Sequence, residues 1–359
     1  MDRESGAAVD LPVGKVPAHV LTQAVLPWLG AERAEVLVGP RHGADAGVID
    51  IGGGQVLTVT TDPFFVMREL GWMRAAWFAV HILASDAATT GIAPAYITVD
   101  LNLPPDMPDG DLASLWEAVH VACDDLGMAV VTGHTGRYDG CAFPMLGGAT
   151  VMGIGPRDRY VTPAMARPGD VLLMTKGAAI ETTGMFGVTL PDVLRERIGS
   201  DLAHQAAALF DAMTVVPDAL TAVEAGGHGG GVTALHDATE RGVYAGVIEI
   251  AEAADAGLVL DRDAIPILPA TRAVCDAFDI DPYTASSEGT LLVACRPQRA
   301  AAVLDRLESA GIAATRIGEL LPPREGHRVV IGGREQPLLT PRDDPFWPAY
   351  ASALAEAER

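Results

Sequence analysis

Carboxylates at the ends of apolar stretches are the first residues in this sequence whose placement suggests chemistry. Asp45 lies in the Gly-rich stretch 39–47. Asp62 follows the β-rich run 55–61, which predicts a strand ending at that residue. Asp86 follows the helical pattern of 72–85, within Ser85-Asp86-Ala87-Ala88-Thr89-Thr90-Gly91. Folding can bring such ends together. Two or three carboxylates on one point suit Mg²⁺ that bridges the oxygens of a nucleoside triphosphate. Each Asp taken alone is also an ordinary turn or capping residue.

Three further clusters carry polar groups next to glycines. Gly133-His134-Thr135-Gly136-Arg137 follows the apolar run 128–132, where small residues would let a phosphate approach backbone N–H groups. It lacks the Gly-Lys-Ser/Thr ending of a Walker loop, and a tight turn is the other reading. Thr175-Lys176-Gly177 follows the run Val171–Met174 and leads toward Glu181. A strand, a glycine turn and a helix start make a general anion-binding geometry. Lys176 is then either a phosphate contact or an exposed turn lysine. His236-Asp237-Ala238-Thr239 precedes an apolar helical segment; Asp237 or Thr239 can cap it, or His236 and Asp237 can act as acid and base. The stretch 226–231, five glycines around His228, is either a lid or a linker.

The elements that must position these groups alternate between strand-like and helix-like. Helical spacing covers 18–29, 72–85, 114–126, 202–215, 242–254, 298–310 and 346–359. Strand patterns cover 36–38, 55–61, 95–101, 128–132, 148–154, 171–175, 291–295 and 313–318. A turn-rich joint at Pro163 and Arg167-Pro168-Gly169-Asp170 divides them. The expected organisation is an arm at 1–18, a first domain at 19–160, a second at 161–342 and a closing helix at 343–359. With 359 residues, 49% of them hydrophobic, two α/β or α+β domains can each bury a core.

A net charge of −22 lacks the surplus of Lys and Arg that non-specific nucleic-acid binding needs. The longest apolar runs are too short to span a bilayer, and the first residues show no signal-peptide core. Cys123, Cys141, Cys275 and Cys295 have no redox or zinc spacing. A cytoplasmic protein with reduced thiols is therefore expected.

Seven segments in order resemble the superfamily of aminoimidazole ribonucleotide (AIR) synthetase, hydrogenase maturation thiocarbamate dehydratase, selenophosphate synthetase and thiamine-monophosphate kinase. They are 38–47, 60–64, 81–94, 131–136, 166–177, 236–239 and 264–269. The last two, with Glu249-Ile250-Ala251-Glu252 between them, are most similar to the maturation dehydratase and to AIR synthase-related proteins. The resemblance spans nearly the whole chain. It implies an N-terminal α/β domain that dimerises by joining sheets into a β-barrel, with a C-terminal ferredoxin-like α+β domain packed on it. ATP and Mg²⁺ would lie in the cleft between them, in a homodimer acting on a small molecule. By motif position, Asp45, Asp62 and Asp86 would be the metal and phosphate ligands. Gly133, His134 and Thr135 would form a second phosphate loop, and Lys15 would fold over the nucleotide. Lys176 and Gly177 join this expected nucleotide set. Glu181, His236 and Asp237 would be the catalytic groups where the second domain closes the site.

The implied chemistry is phosphorylation of an amide or carbonyl-type oxygen, followed by cyclisation or dehydration. A small-molecule kinase that stops at the phosphate ester is the alternative, as is a nucleotide-binding protein with reduced catalysis. Three positions depart from the family pattern. Ala44 stands in place of the first of two paired acids, Gly136 where Glu is common, and Arg241 where glycine is usual. The maturation dehydratase carries its substrate on a C-terminal cysteine. The last cysteine here is Cys295, so that particular role is not expected.

Overall fold

Two separate sheets organise the chain in the computed structural model, which describes residues 16, 18–41, 43–143, 145–226 and 230–357. Lys15, His42 and His228 lie outside the described residues. The first sheet has six strands: β1 (Val36–Val38), β2 (Gly47–Gly52), β3 (Gln55–Val66), β4 (Tyr96–Leu103), β5 (Ala129–Arg137) and β6 (Met145–Pro156). Their order is β1-β2-β3-β6-β4-β5. All pairs are antiparallel except β4 with β5.

Alternation explains its two faces. Along β3, Val56, Thr58, Thr60, Phe64 and Val66 are buried, while their odd-numbered neighbours are not. The helices Gly71–Ala88 and Asp109–Asp125 cover the buried face. The opposite face is open, and Tyr96 and Ile154 are exposed on it.

The second sheet has seven strands: β7 (Val171–Thr175), β8 (Val232–Asp237), β9 (Gly257–Asp261), β10 (Leu291–Cys295), β11 (Ala314–Leu321), β12 (His327–Ile331) and β13 (Arg334–Pro337). Their order is β13-β12-β9-β11-β7-β10-β8, antiparallel apart from β9 with β12. β7, β8 and β10 are buried at every residue, so their sequences are continuous rather than alternating. One apolar core under this sheet runs into the first half. It joins Phe78 and Leu83 to Phe186, Phe210 and Val216. A second core lies on the other face, beneath the helix Gly242–Ala253. No single helix among the described residues is long and apolar enough to cross a membrane.

The two-part α/β and α+β architecture agrees with the sequence expectation, but the β-barrel does not. The first sheet begins at β1 and ends at β5, and these edges are not hydrogen-bonded to each other. Both sheets stay open. The strand expected to stop at Asp62 runs on to Val66, because Asp62, Pro63 and Phe64 pair with Ala149, Gly148 and Gly147. The segment 128–132 is expected as a buried strand ending in a loop at Gly133; Met128 is buried, but from Ala129 onward the chain forms an exposed edge strand. That strand continues through Gly133 to Arg137. The region 202–215 breaks into the helix Ser200–Ala208 and a short 3₁₀ turn, and Val216–Glu224 forms a further helix.

Candidate functional site between the two halves

Three expected residues meet where the halves join. His236, near the end of β8, is buried. Its Nδ1 lies 3.2 Å from Asp45 Oδ2 in the first half and 3.5 Å from Asp237 Oδ1. Its Nε2 lies 2.9 Å from Glu249 Oε2, and Arg241 reaches the other Glu249 oxygen at 3.4 Å. Burial alone would lower the His236 pKa. The Asp45, Asp237 and Glu249 carboxylates outweigh it and hold the pKa well above the ordinary histidine value.

The Asp45 loop is fixed from both sides. Thr60 Oγ1 donates to the Asp45 carbonyl at 2.8 Å. Gly43 packs against the helix Gly242–Ala253, where an added Cβ would stand 2.8 Å from the Glu249 carbonyl oxygen. Asp62 lies on the same face of β3 as Thr60, two residues and about 7 Å further along the strand. Asp86 is in the last turn of Gly71–Ala88. Its neighbour Ser85 accepts a hydrogen bond from the Val215 backbone at 3.0 Å, which places this helix end against the second half.

Beside these lies a buried set of acids. Glu181 opens the helix Ile180–Thr189, and its Oε2 accepts the Glu288 N–H at 3.2 Å. Burial pushes its carboxyl up to about 8, helped by the negative charges of Asp344, Glu240 and Asp237. Glu288, also buried, is raised well above the usual carboxylate range by burial and then by Asp237 and Glu181. Asp344 ties the surrounding turns together. It accepts the Arg241 N–H at 2.7 Å, the Ser286 hydroxyl at 2.8 Å and the Phe346 N–H at 2.9 Å. Arg241 has a φ of 64°, the left-handed region that favours glycine. That explains the usual residue at this position, and here the arginine side chain is directed to Glu249.

Lys176 fits neither reading that the sequence leaves open. Its Nζ donates to the carbonyls of Gly289 at 2.6 Å, Thr214 at 2.7 Å and Ala212 at 3.4 Å, and forms an ion pair with the buried Asp218 at 2.9 Å. All three ammonium protons are used inside the protein. Lys176 is a structural anchor between the segments around 214 and 289. Gly177 is buried in the same turn, and its carbonyl accepts from Thr290 Oγ1 at 2.6 Å. Gly133, His134 and Thr135 do not join the cluster within one chain. They sit on the β5 edge, with β4 and β6 between them and β3, and His134 Nε2 contacts Tyr138 Oη at 2.7 Å.

Sequence reasoning misses Glu288, Glu240 and Asp344, and gives Glu249 no chemical role. Glu288 has a usable signal, since it stands next to Gly289 just before the apolar strand β10. Asp344, in the stretch Thr340-Pro341-Arg342-Asp343-Asp344-Pro345, has none.

The family described as AIR synthase related protein, N-terminal domain, matches residues 43–155, and its C-terminal domain matches residues 167–331. The carbamoyl dehydratase HypE of Cupriavidus necator is 30% identical over 296 residues, 78% of either chain. The carbamoyl dehydratase HypE of Escherichia coli K12 is 31% identical over 269 residues, 73% of this chain and 75% of that one. A crystal structure of E. coli HypE, a hydrogenase maturation protein, is similar with a TM-score of 0.68 at 28% identity. The match covers 82% of this chain and 88% of that one.

Proposed function

Because this chain belongs to the AIR synthase related proteins, we propose that it is an ATP- and Mg²⁺-dependent enzyme. It phosphorylates an amide- or carbamoyl-type oxygen of a small molecule and then expels that phosphate in a dehydration or ring closure. The observation that carries this reading is the joint itself. Asp45 of the first half meets His236 and Asp237 of the second, next to the buried carboxyls of Glu181 and Glu288.

Asp45, Asp62 and Asp86 offer the hard oxygen ligands that magnesium takes, and Asp45 also belongs to a close group of possible metal ligands at the joint. Asp45, Asp62 and Asp86 would hold the magnesium ion. ATP and Mg²⁺, when bound, supply the phosphoryl group that turns a poor oxygen leaving group into a good one. The chain positions the reactants and handles protons. Asp237 accepts a proton from the substrate nitrogen as phosphate departs. Glu181, kept largely neutral by burial, holds a proton at the closed end of the site. His236 fixes the directions of Asp45 and Asp237.

The protein acts as a cytoplasmic homodimer. The β5 edge exposes Val130 and Val131, and the open sheet face next to it exposes Tyr96 and Ile154. A partner subunit on this surface would bring Gly133, His134 and Thr135 toward a cleft they do not reach alone. Domain limits of 19–160 and 161–342 suit the gap between the last strand of the first sheet at Pro156 and the first of the second at Val171. The helix Phe346–Ala357 closes the second domain by packing Phe346 and Tyr350 on Phe186.

Turnover with primary amides and carbamoyl compounds tests the reaction. Release of ADP and free phosphate in equal amounts, with loss of the amide oxygen, is the expected result. Retention of phosphate on the product would make the protein a kinase instead.

A further inference from the structure

His236 introduces a nitrogen donor where a magnesium centre needs only oxygen. Its imidazole is buried, and Nδ1 faces two carboxylates without a well-aligned hydrogen bond to either. Nδ1 instead points between Asp45 Oδ2 at 3.2 Å and Asp237 Oδ1 at 3.5 Å. The three ligand atoms offered by Asp45, His236 and Asp237 lie within 4.8 Å of one another. Tetrahedral bonds of about 2.0–2.1 Å to nitrogen and oxygen would separate neighbouring ligands by about 3.3 Å. The two histidine–carboxylate distances match that spacing.

The second ring nitrogen supplies an independent sign. Nε2 is held by Glu249 at 2.9 Å, and Glu249 is steadied by Arg241 on its other oxygen. A metal-binding histidine ordinarily has its far nitrogen fixed in this way by a carboxylate, which sets the tautomer and turns the free nitrogen toward the ion. Imidazole with carboxylates suits zinc or cobalt, whereas magnesium prefers an all-oxygen shell.

We propose that Asp45, His236 and Asp237 form a binding site for a divalent transition-metal ion of the zinc or cobalt class, placed at the joint between the two halves. The site shares Asp45 and, through Oδ1, Asp237 with the reading above, which leaves Asp237 Oδ2 to accept the substrate proton, and its occupancy needs neither ATP nor turnover. A bound ion would pin the 43–45 loop to β8. It would also give the centre two unlike metal positions, one of oxygen donors and one carrying an imidazole.

Cobalt titration of the metal-free, tag-free full chain tests this. One equivalent of Co²⁺ should bind with visible d–d absorption. His236→Gln should weaken binding by on the order of 100-fold, and Glu249→Gln by about 10- to 100-fold. Asp62→Asn should leave cobalt affinity unchanged while magnesium–ATP binding falls, which separates this proposal from the nucleotide reading. If His236→Gln does not fold, X-ray absorption of the wild-type chain with one equivalent of zinc still decides, because imidazole scattering must be present. Equal cobalt affinity in wild type and His236→Gln, an all-oxygen shell, or no stoichiometric binding would each overturn the proposal and leave the cluster an imidazolium–carboxylate ion pair.

Discussion

Replacing Glu181 with Gln should change how the metal-free protein's stability depends on pH. In the folded chain the Glu181 carboxyl titrates at about 8, against 4.5 for the ordinary group, chiefly because it is buried and then because Asp344, Glu240 and Asp237 surround it. The folded state therefore favours the neutral form. This contribution to stability is fully present below about pH 4.5, declines as pH rises, and is lost above about pH 8. Each pH unit between those two values is worth about 1.4 kcal/mol, so the full swing is about 5 kcal/mol. Glutamine keeps an oxygen that can accept the Glu288 N–H and never ionises. The variant should thus match wild type near pH 5 and exceed it by about 4 kcal/mol at about pH 8.5. Urea denaturation of both proteins at several pH values, in chelator, measures the difference directly. His236 titrates in both proteins, while Glu288, which the Glu181 charge helps to raise, titrates lower in the variant and takes up part of the difference. A stability difference that stays flat from about pH 5 to 8.5 would refute the burial argument.

Other perturbations address separate parts of the molecule. Asp62→Asn should weaken magnesium-dependent ATP binding by at least about tenfold in calorimetry; unchanged affinity removes Asp62 from the metal set. Lys176→Met leaves the buried Asp218 carboxylate without its cation, and should lower unfolding stability by about 3–5 kcal/mol. A loss confined to the nucleotide KM, with stability intact, would return Lys176 to the nucleotide site. Gly242→Ala forces a side chain at a φ of 62° and puts Cβ 2.6 Å from the Ala285 carbonyl oxygen, so thermal unfolding should show a loss of about 2 kcal/mol or more. Val131→Lys on the exposed β5 edge should shift sedimentation toward the monomer; an unchanged sedimentation coefficient places any dimer elsewhere.

The fold is legible in the sequence where pattern and length agree. The helix over Gly71–Ala88 and the strands β7 and β10 follow from apolar runs bounded by turn residues. β5 misleads for a physical reason. Its apolar residues signal burial in sequence, but in one chain they lie on an exposed edge. β8 escapes notice as a strand because Val232–Asp237 ends in His236 and Asp237, which read equally well as a helix cap. Within the site, the meeting of Asp45 with His236 cannot be read at all. It depends on how the first sheet's loop docks on the second half, and 191 positions (236 minus 45) separate the two residues in the numbering. Lys176 shows the opposite limit. A lysine after a strand and before a glycine suggests an anion, while the carbonyls that satisfy it come from segments far along the chain.

The apolar core that runs from Phe78 and Leu83 into Phe186, Phe210 and Val216 has a consequence for motion. Two lobes that shared only a polar seam could swing apart like a clam shell. These lobes are fused through packed side chains, so a wide swing would expose the interior of both. Ligand traffic must then use small displacements at the rim, in the turns that carry Asp45, Arg241 and Glu288. The same fusion predicts that the halves melt in a single cooperative transition, and that a chain cut between them yields two fragments, each with a bare apolar flank.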